Sequence, residues 1–96
     1  MAYKLVTSAK VHSDVENGIK WYKEIQLELA RRFLEEVRKT EKYVHKNPKY
    51  FQIRYNNIRI AFLDDFPYGI HYSFEKETVT ILAVFHFKES PDHWIK

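Results

Sequence analysis

A chain of 96 residues, 45% hydrophobic and 30% charged, supports one domain with a modest core, since a polypeptide this short buries only about two-thirds of the surface its unfolded form exposes. The lack of cysteine excludes disulfides and thiolate metal sites, and the only glycines, Gly18 and Gly69, are too few for a phosphate-cradling loop of the P-loop or dinucleotide type. A net charge of +3, from 16 Lys and Arg against 13 Asp and Glu, is too small to specify nucleic-acid binding, and no apolar run is long enough for a membrane span or leader, so a cytoplasmic location without a membrane partner is expected.

Tyr3 to Val6 alternates as a short strand, ended by Thr7 and Ser8, either of which can cap a following helix. From Ala9 to Glu24, Val11, Val15, Ile19 and Tyr22 recur every three or four residues, which predicts one helix with a single apolar stripe. Gly18 marks a weak point or a close-packing position on it. After a brief break at Ile25 and Gln26, a second helical pattern runs from about Leu27 to Lys46 through Ala30, Phe33, Leu34, Val37, Thr40, Glu41 and Val44, and Asn47-Pro48 stops it. The two form an antiparallel hairpin that needs a sheet to cover its apolar stripes. Arg31, Arg32, Arg38, Lys39 and Lys42 alternate with Glu28, Glu35, Glu36 and Glu41 on the second helix, the pattern of a solvated face.

The strands follow. Tyr50 to Tyr55 and Ile58 to Leu63 are joined by Asn56-Asn57, and Asp64-Asp65 turns the chain into Phe66 to Phe74. In that strand Tyr68, Ile70, Tyr72 and Phe74 share one face, and Gly69, His71 and Ser73 the other. Glu75-Lys76-Glu77 leads into residues 78 to 87, where Val79, Ile81, Ala83 and Phe85 are placed on one side and Leu82 and Val84 on the other. Apolar groups on both faces predict an internal strand. The whole chain, 1–96, reads as one α+β domain: an N-terminal strand, a two-helix hairpin and a mostly antiparallel sheet of four to five strands. The alternation leaves open which neighbour the first strand pairs with. Pro91 ends the regular run.

Few residues offer chemistry. His12, His45, His71, His86 and His93 form no HExxH pattern, and His86 and His93, with Glu89 and Asp92 nearby, are too loosely spaced to specify zinc, so no metal and no cofactor is expected. His86 leaves the last strand where the sequence turns polar, a position from which imidazole can move a proton or donate a hydrogen bond. Arg59 lies among apolar strand neighbours, where a guanidinium stacks its stem on the sheet and pairs with a carboxylate, Glu75, Glu77 or one on a partner. Lys88 is a candidate for an anion. Tyr68 and Trp94 offer amphipathic contact area.

The segments WYKEI, LARRFLEEVRKTEKYVHKNP, Ile58-Arg59, FPYGIHY, TVTILAVFHF and PDHW together resemble the RelE/ParE superfamily of toxins from type II toxin–antitoxin (plasmid stabilisation) systems, over residues 3 to 94. The resemblance implies a compact toxin neutralised, in a hetero-oligomer, by a cognate antitoxin whose C-terminal segment lays a helix or strand across the toxin. One branch of the superfamily cleaves mRNA in the ribosomal A site; the other poisons DNA gyrase without known catalytic residues of its own. The ribonuclease branch typically carries arginine after the aromatic that corresponds to Tyr68, as in YRLVY, where this chain has Gly69. It also often places basic residues and a tyrosine where Phe87, Lys88 and Trp94 stand.

FPY and the histidine on the exit strand bring the chain closer to the ParE-like branch, although Glu89 replaces the arginine of H-x-x-R-x-P and Asp64-Asp65 falls where relatives are often basic. The resemblance therefore implies a gyrase-directed toxin that acts by protein contact, with Arg59, Tyr68, His71, His86, Lys88 and Trp94 lining or supporting one surface and no catalytic activity of its own. The alternative is a ribosome-dependent endoribonuclease, with His86 as acid/base and Arg59 or Lys88 as charge stabiliser. A third reading is a non-toxic protein-binding module of the same fold.

Overall fold

A computed structural model of the chain describes residues 3–87. Its elements run β1 (Lys4–Thr7), α1 (Ala9–Ile25), α2 (Leu27–Lys46), β2 (Ile53–Tyr55), β3 (Ile58–Phe62), β4 (Tyr68–Glu75) and β5 (Thr78–His86). The five strands form one sheet in the order β1-β5-β4-β3-β2. β1 lies parallel to β5, and every other pairing is antiparallel. The α+β plan read from the sequence is the one observed, and the pairing of the first strand is now assigned.

The helical hairpin turns on a single residue. Gln26 is extended (φ −165°, ψ 133°), so its N–H still closes α1 on the Tyr22 carbonyl while its own carbonyl accepts the N–H groups of Leu29 and Ala30 in α2. Val11, Val15, Ile19 and Tyr22 face the core as their spacing predicts, and Ala30, Phe33, Val37 and Val44 are buried from α2. Gly18 is a close-approach position: a Cβ there would lie 2.6 and 2.7 Å from two ring atoms of Phe33, so the hairpin is drawn together by the missing side chain.

These stripes cover the sheet face that carries Ala61, Ile70, Tyr72, Val79, Ile81 and Val84. β5 does not keep strict alternation along its length. His71 pairs with Ala83 and Tyr72 with Ile81, so Leu82 is an extra residue, a β-bulge that shifts the parity of the strand. Val79 and Ile81 before it and Val84 after it face the helices, whereas Ala83 and Phe85 share the opposite face with His71 and Gly69. This corrects the expectation that Val79, Ile81, Ala83 and Phe85 lie on one side.

Two strand boundaries also move. The segment expected to be a strand from Tyr50 pairs only from Ile53. Tyr50 donates its N–H to the Asn47 carbonyl in a turn, and Arg59 grips the Phe51 carbonyl. The strand expected from Phe66 starts at Tyr68, because Pro67 has no N–H to give the ladder and the Tyr68 N–H closes on the Phe66 carbonyl, tucking the Phe66 ring into the core.

Ser8 sits at the start of α1, yet its hydroxyl makes no helix cap. It donates instead to the Leu82 carbonyl at 2.9 Å, across 74 positions of sequence, while the Ser8 N–H donates to the Ile81 carbonyl. β1 stops opposite Ile81, so the start of α1 takes over along the rest of the β5 edge.

Candidate functional site

At that end of the sheet, Tyr68 opens β4 and His86 closes β5, and the two are paired in register with their rings 5.0 Å apart and nearly perpendicular. α1 supplies the other wall of a groove through Asp14, Asn17, Gly18 and Trp21, which face Tyr68, Val84 and His86. The spacing of the four α1 residues, at i, i+3, i+4 and i+7, puts them on one side of the helix.

Each wall has a definite role. The Tyr68 ring is buried and packs on Phe33 (centroids 4.8 Å) and Tyr22 (6.2 Å), so the core fixes its position. Asp14 accepts the Val84 N–H at 2.9 Å with one carboxylate oxygen and the Lys10 ammonium at 2.7 Å with the other. It therefore closes the strand edge left open where β1 ends and is not a free base. Trp21 is 61% exposed, the most exposed aromatic wall of the groove.

The six residues expected to share one surface are distributed as follows. Tyr68 and His86 are together. His71 lies on the opposite sheet face, 2% exposed, with Nδ1 2.8 Å from the Tyr55 hydroxyl and its ring against Phe85 (4.9 Å). Burial holds its pKa down to about 4 from the usual 6.5; the Asp14 carboxylate opposes this and the Lys10 ammonium reinforces it. The ring is thus neutral at physiological pH.

Arg59 is on the helix-facing side but at the other end of the sheet, paired in register with Tyr72. Tyr68 and Tyr72 are four residues apart on β4, which separates the His86 and Arg59 levels by about 13 Å along the strand. The guanidinium donates to the Phe51 carbonyl at 2.6 Å and reaches the Lys49 carbonyl at 3.5 Å. Among the described residues Arg59 pairs with neither Glu75 nor Glu77; backbone oxygens hold it instead, and the residue fastens the segment after α2. Beside it the Tyr72 hydroxyl donates to the Pro48 carbonyl at 2.7 Å, and burial pushes its pKa up to about 12 against the opposing effect of Arg59. Lys88, Glu89, Pro91, His93 and Trp94 lie outside the described residues.

Asp14, Asn17 and Trp21 escaped the sequence reading because they lie off the apolar stripe of α1. A tryptophan between the stripe positions Ile19 and Tyr22, on the polar side of its helix, was the available signal. Among the described residues no group of three or more His, Asp or Glu side chains is arranged to hold a metal ion, and no described helix is long and apolar enough to cross a membrane.

The position expected to distinguish nuclease from non-nuclease branches is also resolved. Gly69 stands opposite Phe62, and a Cβ on it would come 2.7 Å from a methyl of Ile60 and 3.2 Å from the Phe62 ring. The surrounding face carries Ile60, Phe62, Ala83, Phe85 and His71, with the Arg54 guanidinium over the Phe62 ring (5.4 Å). The Lys10 ammonium lies over the Phe85 ring (4.5 Å) but is tied to Asp14.

No protein-family model matches the sequence, and no curated protein matches it. Among solved structures, a chain described as "Chromosomal ParDE TA system from P. aeruginosa" superposes with a TM-score of 0.80 at 14% identity, covering 91% of this chain and 98% of that one. At that identity the likeness concerns the backbone. The strand, helical hairpin and five-stranded sheet described above are the RelE/ParE-type α+β fold.

Proposed function

We propose that the chain is a ParE-like toxin of the RelE/ParE superfamily, a single cytoplasmic domain held in check by a cognate antitoxin in a hetero-oligomer. It acts on DNA gyrase by protein contact and not by catalysis. The observation that carries this reading is the sheet face around Gly69. Efficient cleavage at a 2′-hydroxyl needs a cation positioned for the five-coordinate phosphate. At residue 69 there is no side chain, and a Cβ there would require Ile60 and Phe62 to shift.

The groove between α1 and the β4–β5 end supports the contact reading. It offers Trp21 and Tyr68 as amphipathic area, with His86 and Asn17 as polar rim, the composition of a protein interface. Lys88 and Trp94, which follow His86 in the sequence, are proposed to belong to the same interface.

Expression with and without the antitoxin, followed by direct assays, tests the proposal. Loss of supercoiling activity with mRNA intact is the expected result, and Trp21→Ala weakens that inhibition about tenfold while leaving stability within about 0.5 kcal/mol of the parent. Codon-phased cuts in mRNA on translating ribosomes would overturn it in favour of the endoribonuclease. Normal growth with neither effect would leave a non-toxic binding module.

A further inference from the structure

A second groove lies along the other flank of the helical hairpin, between α2 and the β3 side of the sheet, with a volume of about 560 Å³. β2, the edge strand on that side, is only three residues long. Its apolar lining is aromatic. Tyr43, Tyr50 and Phe51 meet edge to face with centroids 5.0 to 5.9 Å apart, and Phe62 contributes from β3. Tyr50 is 69% exposed.

Tyr43 and Tyr50 are exposed and Phe51 is half-buried, and all three are held in place. Asn47 donates both its backbone and side-chain N–H to the Tyr43 carbonyl, the Tyr50 N–H donates to the Asn47 carbonyl, and Arg59 secures the Phe51 carbonyl. An aromatic surface ordered before a partner arrives loses little entropy on binding, which is how exposed tyrosines come to dominate interfaces.

The rim is acidic in a chain that is basic as a whole. Glu35, Glu36, Asp64 and Asp65 line the groove against Arg32 and Lys39. Arg32 is 3.9 Å from Asp65, and Glu36 accepts the Asp65 N–H at 2.8 Å, so those groups satisfy one another in part. Glu35 and Asp64 have no ion pair among the described residues. With four carboxylates against two cations the lining is net negative, which disfavours phosphates and attracts cations.

We propose that this groove binds a basic protein segment, an amphipathic stretch of Arg or Lys that places an apolar side chain against Tyr43, Tyr50 and Phe51 and its cations against Glu35 and Asp64. The inference rests on the contact reading above only in taking the partner to be a protein. Its test uses the purified full chain, so it can fail while the toxin assays succeed, and the reverse.

Fluorescence anisotropy is measured with three labelled synthetic peptides of about twelve residues: an amphipathic Leu/Arg peptide, its Leu/Glu counterpart and its Ser/Arg counterpart. The Leu/Arg peptide is expected to bind about tenfold or more tightly than either of the others. Tyr50→Ala and the double variant Glu35→Lys with Asp64→Lys each weaken it about tenfold, whereas Trp21→Ala, in the other groove, leaves it unchanged. All the substituted side chains are exposed, and thermal melts confirm that the variants fold.

Binding of the Leu/Glu peptide with equal or greater affinity overturns the proposal. So does Leu/Arg binding that ignores both groove variants, or no binding by any peptide. A concentration-dependent dimer in sedimentation that Tyr50→Ala abolishes would assign the groove to a second copy of this chain and overturn it as well.

Discussion

The Asp14 carboxylate accepts the backbone N–H of Val84 at 2.9 Å and so stands in for the strand that β5 lacks beyond Ile81. Replacing it with alanine strands a partly buried donor, which costs about 1–3 kcal/mol. Asp14→Ala is expected to lower the urea midpoint accordingly and to speed amide exchange at Val84 more than at Ile70, in the middle of β4. Uniform acceleration at both amides would show that the bond is not local to the strand edge.

His71 makes stability depend on pH. Its folded pKa, about 4, is below the unfolded 6.5, so between those values the unfolded chain binds a proton that the native chain refuses. The contribution is fully present above pH 6.5 and is lost as pH falls toward 4, to a total of at most about 3 kcal/mol. Denaturation at pH 7.5 and pH 5 measures the loss, and His71→Gln should flatten the profile across that window. An unchanged slope in the variant would assign the dependence to other groups.

The β4–β5 turn is built from residues unsuited to it. Lys76 and Glu77 both take positive φ, 50° and 64°, in the two-residue turn between Glu75 and Thr78, where Asn and Gly are favoured. Asn56 and Asn57 adopt similar angles in the β2–β3 turn with the residue type that tolerates them. Glu77→Gly is expected to stabilise the protein by about 1 kcal/mol, read as a rise in melting temperature, and Asn57→Gly to have a smaller effect.

Gly69→Arg is expected to destabilise by about 1–3 kcal/mol, because Ile60 and Phe62 already occupy the space of its Cβ. The paired change with Phe62→Ala should recover part of the loss. Chemical denaturation of the single and double variants measures both, and full additivity would argue against the close approach.

Helices were legible in this sequence because their information is local: the period of Val11, Val15, Ile19 and Tyr22 is visible in one stretch and is the stripe that the core uses. What escaped depended on distance or on a single residue. Leu82 is an ordinary apolar residue in an apolar run, yet as a bulge it reverses the faces of everything after it. Ser8 looked like a helix cap, and its bond to Leu82 has no signature within its own segment. Arg59 was expected to seek a carboxylate and instead holds backbone carbonyls, which every residue possesses and no composition reveals. Of the candidate site, His86 was singled out because the last strand turns polar there and Tyr68 for its amphipathic ring, while the α1 wall needed the tertiary fold to bring Trp21 beside them.

The parallel seam between β1 and β5 joins the first described strand to the last. A nascent chain can form its helical hairpin early, but the sheet that buries it is not closed until the segment through His86 has been made, so local helix must wait for a distant strand. The interval before that closure, when the hairpin's apolar stripes are uncovered, is when the chain is most open to capture by another protein or by proteolysis.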